Sequence, residues 1–268
     1  MIPVALTIAG SDPSGGAGIQ ADLKTFHQFH VYGQAVITLL TVQNTLGVQG
    51  VELVRPEMIR DQIAAVLKDI PPAAAKAGAL GGTAQVEAVA DAARRFTFPL
   101  VADPVMVSKH GAPLLTAEAE SALKTRLLPW CSLVTPNIAE AERLSGLKIC
   151  SLEDMAQAAK RIAGQGVRAV LVKGGHLNGA PIDLLLSDGQ AEFFPGKRIE
   201  TRHTHGTGCT YSAAITAELA RGLPLAAAVA SAKKFIQAAI ETAPGLGRGT
   251  GPLNHFAAIR DFSNAASS

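Results

Sequence analysis

The segment His205-Gly206-Thr207-Gly208-Cys209-Thr210 contains the residue types best suited to chemistry, and it stands directly before the apolar run 211–215. Glycines let a backbone approach a ligand closely, and the unpaired N–H groups at a helix start suit phosphate oxygens. We therefore predict an anion hole at Gly206 and Gly208. A helix start should also lower the pKa of Cys209, so that its thiolate serves as a base or nucleophile. The alternative is a small buried cysteine that only packs against its helix.

A second candidate is the glycine-rich stretch 10–18, GSDPSGGAG, which follows a short apolar run and precedes a helical pattern. Ligands of open α/β sheets favour this position. The stretch is not a P-loop, because Gly16 stands where that motif requires lysine, and it does not match G-x-G-x-x-G. From these residues alone, a substrate loop and an ordinary turn both remain open.

Four further polar residues follow predicted strands. Asn137 and Glu140 are three residues apart, a spacing that can hold water around Mg²⁺ on one helix face but as a bare pattern is more typical of helix capping. Asp103 and Lys173 each follow an apolar run. Because the carboxyl ends of parallel strands meet at one edge of a sheet, we expect these groups to share a crevice.

Composition excludes several classes of function. The chain has 268 residues, 48% of them hydrophobic, and a net charge of +2 without a basic run. This favours a small-molecule partner over nucleic acid or an anionic membrane. Three cysteines without a C-x-x-C pair fit a reducing compartment, so we predict a cytoplasmic protein. The N-terminus lacks a basic region before its short apolar run and is interpreted as a core strand.

Short apolar runs alternate with helical patterns along the chain, which predicts an α/β fold with a mainly parallel sheet covered by helices on both faces. We expect one domain over residues 1–268. Two β-rich pairs without an intervening helix, 36–42 with 48–54 and 182–186 with 192–194, predict small antiparallel elements at the rim. One helix is predicted over residues 117–128. The last helices are predicted at 210–221, 225–242 and 254–261, and residues 263–268 are expected to fray.

Together these motifs resemble the ribokinase-like superfamily, and in particular its hydroxymethylpyrimidine/phosphomethylpyrimidine kinase branch. The resemblance extends from residue 6 to about residue 256. The segments that carry it are 6–25 (LTIAGSDPSGGAGIQADLKT), 42–45 (VQNT), 103–106 (DPVM), 135–140 (TPNIAE), 172–176 (VKGGH) and 205–210 (HGTGCT).

The resemblance implies a kinase that uses ATP and Mg²⁺, is usually a homodimer, and phosphorylates a hydroxymethylpyrimidine and then its monophosphate. Cys209 stands where many sugar kinases of the superfamily carry aspartate. The implied roles are as follows: substrate binding by Gly10, Asp22 and Gln43; ATP binding by Lys173, Thr204, His205 and Thr207; and Mg²⁺ binding by Asn137, Glu140 and Asp103.

Two alternatives remain at this point. Some relatives carry methionine where this chain has Ala79, which leaves room for the ring of pyridoxal and keeps a pyridoxal kinase open. A non-catalytic pyrimidine sensor would keep the pocket but lose the chemistry. Residues 36–54 are a candidate lid.

Overall fold

The computed structural model describes residues 2–107, 111, 115–177 and 179–259. These residues form one sheet of nine strands flanked by helices. The strands are β1 (Val4–Ser11), β2 (Tyr32–Asn44), β3 (Gly47–Leu53), β4 (Ala74–Ala77), β5 (Leu100–Ala102), β6 (Leu133–Val134), β7 (Ala169–Val172), β8 (Asp183–Ser187) and β9 (Gln190–Phe194). The helices are α1 (Gly18–Gln28), α2 (Pro56–Asp69), α3 (Thr83–Ala93), α4 (Ala117–Ala122), α5 (Ile138–Ser145), α6 (Leu152–Ala163), α7 (Thr207–Ala220) and α8 (Leu225–Glu241).

The strand order is β3-β2-β1-β4-β5-β6-β7-β8-β9. The pairs from β2 through β7 are parallel, whereas β3 and the β8–β9 hairpin join antiparallel at the two edges. This confirms the predicted α/β fold with a mainly parallel sheet. Since the central strands run in one direction, the loops that follow them lie along one edge.

Alternation along the strands divides the core between the two faces of the sheet. Leu6 and Ile8 of β1 pack with α2 to α6, whereas Ala5 packs with α1, α7 and α8. Helix α7 is buried nearly all round and has small side chains, so its first turn can lie close to the sheet edge.

Two helix predictions differ from the structure. Residues 117–128 are not one α-helix: α4 ends at Ala122, and a π-helical turn and a 3₁₀ turn containing Pro129 follow, since proline cannot donate the next helical hydrogen bond. The predicted helix at 254–261 is wrong over 254–259. There the side chain of Asn254 accepts a hydrogen bond from the N–H of Phe256 and stabilises a turn instead. Residues 260–268, including the stretch expected to fray, lie outside the described residues.

In the part of the chain that the structure describes, no helix is both long enough and apolar enough to cross a membrane.

Candidate active site

A cleft of about 870 Å³ lies at the carboxyl edge of the parallel strands. It is bounded by the loops that follow β1, β5, β6 and β7 and by the first turn of α7, as the strand-end pattern predicted. The predicted site residues on its lining are Gly10, Gln43, Asp103, Asn137, Glu140, Lys173, Thr204, His205, Gly206, Thr207, Gly208 and Cys209. Asp22 is the predicted residue that is missing from the described lining.

The first turn of α7 forms the centre of this cleft. Gly206 caps the helix at φ +80°, and a Cβ there would lie 1.8 Å from the carbonyl oxygen of Gly16, so only glycine fits between the two loops. Within the described ranges, the N–H groups of Gly208 and Cys209 have no hydrogen-bond acceptor. Two unpaired donors at the positive end of a helix are suited to an anionic ligand.

The environment of Cys209 differs from the sequence-based expectation. Burial raises the pKa of its thiol to about 12, although the charge of Lys76 and the N–H of Gly18 act in the opposite direction. The prediction of a thiolate near neutral pH is therefore wrong for the protein without ligands. A helix start stabilises an anion, but here the loss of water around the sulfur outweighs that effect.

Asp12, His205 and Gln43 form a buried polar cluster at one end of the cleft. The Nε2 atom of His205 lies 2.7 Å from Oδ2 of Asp12 and 3.1 Å from Nε2 of Gln43. Burial alone would raise the pKa of Asp12, but hydrogen bonds from His205 and Ser14 outweigh it and the pKa is lowered. The same carboxylate accepts hydrogen bonds from the N–H groups of Ser14 and Ala17 and so shapes the glycine-rich loop. The side chain of His205 therefore orders the loop that Gly10 opens, beside Gln43.

Asp103 and Lys173 face each other next to Gly208. Their carboxylate and ammonium groups are 3.0 Å apart, and the Lys173 side chain keeps 14% of its surface exposed. A Cβ on Gly208 would lie 3.3 Å from the ammonium nitrogen of Lys173 and 3.4 Å from the carboxylate of Asp103. The lysine thus offers a cation to a ligand at the first turn of α7.

Asn137 and Glu140 form a capping box at the start of α5. The Asn137 N–H donates to Glu140 Oε2 over 2.8 Å, and the Glu140 N–H donates to Asn137 Oδ1 over 3.0 Å. Burial raises the pKa of Glu140 to about 7; Lys173 lowers it and the charge of Asp103 raises it again. No group of three or more His, Cys, Asp or Glu side chains in the described residues could hold a metal ion by itself.

Asp22 is fully buried and its carboxylate is already occupied. It accepts hydrogen bonds from Lys76 Nζ at 2.7 Å and from Thr7 Oγ1 at 2.6 Å. Asp22 therefore has no accessible surface for the direct contact with a substrate that the resemblance implied. Sequence reasoning missed Lys76, whose signal was a lysine within the otherwise apolar stretch Ala74–Ala77.

Other lining residues that sequence reasoning missed include residues 197–201 and Ile240. Residues 197–201 form an irregular segment after β9, and Ile240 lies in the last turn of α8. Neither has a motif or a periodicity that would connect it with the cleft.

Comparison with known proteins agrees with this geometry. The family model described as phosphomethylpyrimidine kinase matches residues 12–254. The hydroxymethylpyrimidine/phosphomethylpyrimidine kinase of Haemophilus influenzae is 49% identical over 261 residues, which cover 95% of this chain and 97% of that protein.

Two solved structures share the fold over most of the chain. Phosphomethylpyrimidine kinase from Clostridium difficile superposes with a TM-score of 0.79 at 42% identity, covering 87% of this chain and 97% of its own. An ADP complex of Bacillus subtilis pyridoxal kinase superposes with a TM-score of 0.89 at 40% identity, covering 96% and 98%. Fold and cleft together define a small-molecule kinase of the ribokinase-like class. The chain belongs to the phosphomethylpyrimidine kinase family.

Proposed function

We propose that this chain transfers the γ-phosphoryl group of ATP to the hydroxymethyl group of 4-amino-5-hydroxymethyl-2-methylpyrimidine, and then phosphorylates the monophosphate to the diphosphate, as a step of thiamine biosynthesis. The observation that carries the proposal is the pair of unpaired N–H groups at Gly208 and Cys209 in the middle of one continuous cleft, in a chain of this family. Such donors stabilise the charge on a phosphoryl group during transfer, which is the main source of rate in these reactions.

The two ends of the cleft suit the two substrates. Gln43 and the backbone at Gly10 offer hydrogen-bonding groups to an aminopyrimidine at one end, and Thr41 lies beside them. At the other end, Lys173 and residues 197–201 would receive the nucleotide, with Thr204 and Thr207 at the entry to α7. The acceptor hydroxyl and the γ-phosphate would then meet at the first turn of α7.

The residues around Lys173 fit a magnesium ion held through water. Asp103 and Glu140 supply the oxygen donors that Mg²⁺ prefers. The pKa of Glu140 is raised mainly by burial and further by the charge of Asp103, so a cation beside the two carboxylates would be favourable. Because the capping box already uses one oxygen each of Asn137 and Glu140, water-mediated contacts suit these residues better than direct ligation. When bound, Mg²⁺ would neutralise charge on the β- and γ-phosphate oxygens.

A kinase for pyridoxal is the second candidate, and one observation favours it. Ala79 lines the cleft with a small side chain, which leaves space for a differently substituted ring. The superposition on a pyridoxal kinase with a TM-score of 0.89 also supports this candidate. The family match and the curated relative favour the pyrimidine.

We place this activity in the cytoplasm, where ATP is present and where the three free cysteines would stay reduced.

We also propose a homodimer. The edge formed by β2 and β3 exposes the apolar side chains Leu40, Val42, Leu46, Val51 and Leu53, which a second copy would cover. The same strands include the candidate lid at 36–54. Light scattering after size exclusion would measure the mass, and a monomer at micromolar concentration would exclude the dimer.

The deciding experiment is a coupled assay of ADP formation with hydroxymethylpyrimidine, its monophosphate and pyridoxal in parallel, with mass detection of the products. Diphosphate formed from the first two substrates supports the proposal. Turnover of pyridoxal alone would transfer the function to vitamin B6 salvage, and ligand binding without ADP formation would point to a sensor.

A further inference from the structure

Lys76 is a buried cation that the proposed chemistry does not use. Its side chain and that of Asp22 are both 0% exposed, and their charged groups are 2.7 Å apart. A fully buried ion pair contributes little net stability, because the loss of hydration offsets most of the attraction. An apolar pair would serve the core of β4 equally well, so the position of the charge needs another explanation.

The ammonium group of Lys76 lies against the first turn of α7. Besides Asp22, the ammonium group of Lys76 contacts the carbonyl oxygen of Cys209 over 3.3 Å. The hydroxyl of Ser212 donates to the same carbonyl over 3.0 Å. Lys76 thus holds this turn from the side of the sheet, whereas Ser212 belongs to the same helix and donates from its next turn.

A cation at this end of a helix is electrostatically unfavourable by itself, because the N-terminus already carries partial positive charge. The arrangement becomes favourable when an anion lies at the same turn. Asp22 compensates the charge of Lys76 within the core, and a phosphoryl group in the cleft would complete the compensation. The charge is therefore suited to a site whose ligand becomes more negative during reaction.

We propose that Lys76 is a positioning residue for phosphoryl transfer: Asp22 fixes its ammonium beneath α7, where it holds the Cys209 backbone and supplies permanent positive charge behind the anion hole. This inference rests on the proposed kinase function. It adds a residue outside the cleft that sets the electrostatics of the cleft.

Four charged groups surround the Cys209 thiol, and they come from different elements. Lys76 of β4 lowers its pKa, whereas Asp22 of α1 and Asp103 after β5 raise it. Lys173 after β7 is the fourth, and its own pKa is raised in part by Cys209. After burial, the charge of Lys76 has the largest effect on the pKa of Cys209, larger than that of Asp22 or Asp103. Loss of the Lys76 charge should therefore change the pKa of the thiol measurably.

The test is the alkylation rate of Cys209 in the Lys76→Met variant, without substrates. Iodoacetamide reacts with the thiolate, and below the thiol pKa the rate at a fixed pH is proportional to the thiolate fraction. Between pH 8 and 9.5 we expect at least about a tenfold slower reaction in Lys76→Met, which corresponds to about one unit of pKa. Mass analysis of the Cys209 peptide follows the reaction. Alkylation of the exposed Cys150 in the same sample is the internal control for the activity of the reagent.

The sign of the change separates the proposed role from a merely structural one. If Lys76 only supported packing, its loss would loosen the first turn of α7 and Cys209 would react at the same rate or faster, which would overturn the proposal. Thr7→Val is the matched control, because it removes the other hydrogen bond to Asp22 but keeps both charges. Its Cys209 rate should stay within about threefold of the unsubstituted protein, on the same proportionality to thiolate.

If Lys76→Met does not fold, the double variant Asp22→Asn/Lys76→Met removes both charges and leaves no unpaired carboxylate in the core. It should still slow alkylation, to a smaller degree, because the Asp22 charge that opposes Lys76 is also lost. An unchanged or faster rate in the double variant contradicts the proposal as well.

With turnover established, the kcat of Lys76→Met should fall at least about tenfold while its KM for ATP stays within about threefold. The alkylation result needs no turnover, so it stands apart from failure of the proposed substrate.

Discussion

Two lysine–aspartate pairs lie beside the first turn of α7, and they differ in their access to the cleft. Lys173 and Asp103 line the cleft at a separation of 3.0 Å, with 14% of the lysine side chain exposed. Lys76 and Asp22 are sealed in the core at 2.7 Å. One helix start is thus supplied with positive charge from both sides, but only Lys173 can touch a ligand.

The difference shows how burial assigns roles to similar residues. A lysine at the edge of a cleft can exchange its carboxylate partner for a phosphate without moving far, because water already hydrates part of it. A sealed lysine keeps its partner and acts at a distance, through the field and through the backbone that it holds. Loss of the pair that lines the cleft should therefore affect catalysis mainly, and loss of the sealed pair should affect stability more strongly.

The largest expected effect is that of Lys173→Met. Removing the cation that faces the transferring group should lower kcat/KM by about 10²- to 10³-fold, as the loss of one directed charge in an active site commonly does. The melting temperature should fall less than it does for Lys76→Met, because Lys173 keeps 14% of its side chain exposed whereas Lys76 is sealed. Steady-state kinetics and a thermal melt on the same preparation measure both.

The control for Lys173→Met is Lys148→Met, which removes an ion-paired lysine whose side chain is 87% exposed. Its activity should be unchanged. A Lys173 variant that is active but strongly destabilised would contradict the comparison, because the pair that lines the cleft would then have the structural role.

Cys209→Ala should have the next largest effect, and it should differ between the two phosphorylations. An alcohol must lose its proton during transfer, whereas a phosphate monoester is already mostly anionic at neutral pH. We expect a loss of about 10- to 10²-fold in the first step and of less than about threefold in the second. Separate assays on the alcohol and on the monophosphate, after a melt has verified folding, measure the two steps.

The raised pKa of Cys209 sharpens this expectation. With a pKa of about 12, the thiolate fraction grows with pH throughout the accessible range, so the rate of the first step should rise without a plateau up to pH 9. Cys209→Ala should remove that rise. Equal losses in both steps, or an unchanged pH profile, would exclude Cys209 as the base.

Much of the site could be predicted because it follows from the topology. Parallel strands bring their following loops to one edge, so Gly10, Asp103, Asn137 and Lys173 could be assigned to one crevice without knowledge of any contact. The two glycines before Cys209 similarly indicated a helix start that accepts an anion. These signals are local or periodic.

The rest depends on contacts between distant parts of the chain. Asp22 and Lys76 are 54 residues apart, and nothing near either residue indicates that they form a pair. The thiol of Cys209 was assigned a lowered pKa from its helix alone, since desolvation by the surrounding fold is not visible in a sequence. A capping box was one of the two interpretations of the Asn137 motif. The structure contains the capping box, and Glu140 also lies close enough to Lys173 for the lysine to lower its pKa.

Glu140→Gln tests the surroundings of Lys173 and Asp103 through the pH dependence of stability. Because the pKa of Glu140 is raised to about 7 from an ordinary value of 4.5, the folded protein binds this proton more tightly than the unfolded chain does. The ionisation of Glu140 therefore lowers the free energy of unfolding least below pH 4.5. The loss grows as the pH rises to 7 and is complete above pH 7. We expect Glu140→Gln to relieve on the order of 2 kcal/mol at pH 8 and little at pH 5, as measured by urea unfolding.

Glutamine preserves the cap, since it can accept the hydrogen bond from Asn137 as glutamate does. Glu142→Gln on the same helix is the control: a hydrogen bond from the Ile149 N–H lowers the pKa of Glu142, so its removal should change the pH dependence in the opposite sense. Excess Mg²⁺ should stabilise the unsubstituted protein at pH 8 more than it stabilises Glu140→Gln, because the ion supplies the positive charge that Asp103 and Glu140 share too little of. Equal stabilisation of both proteins by Mg²⁺ would remove Glu140 from the proposed metal site and leave it a helix cap.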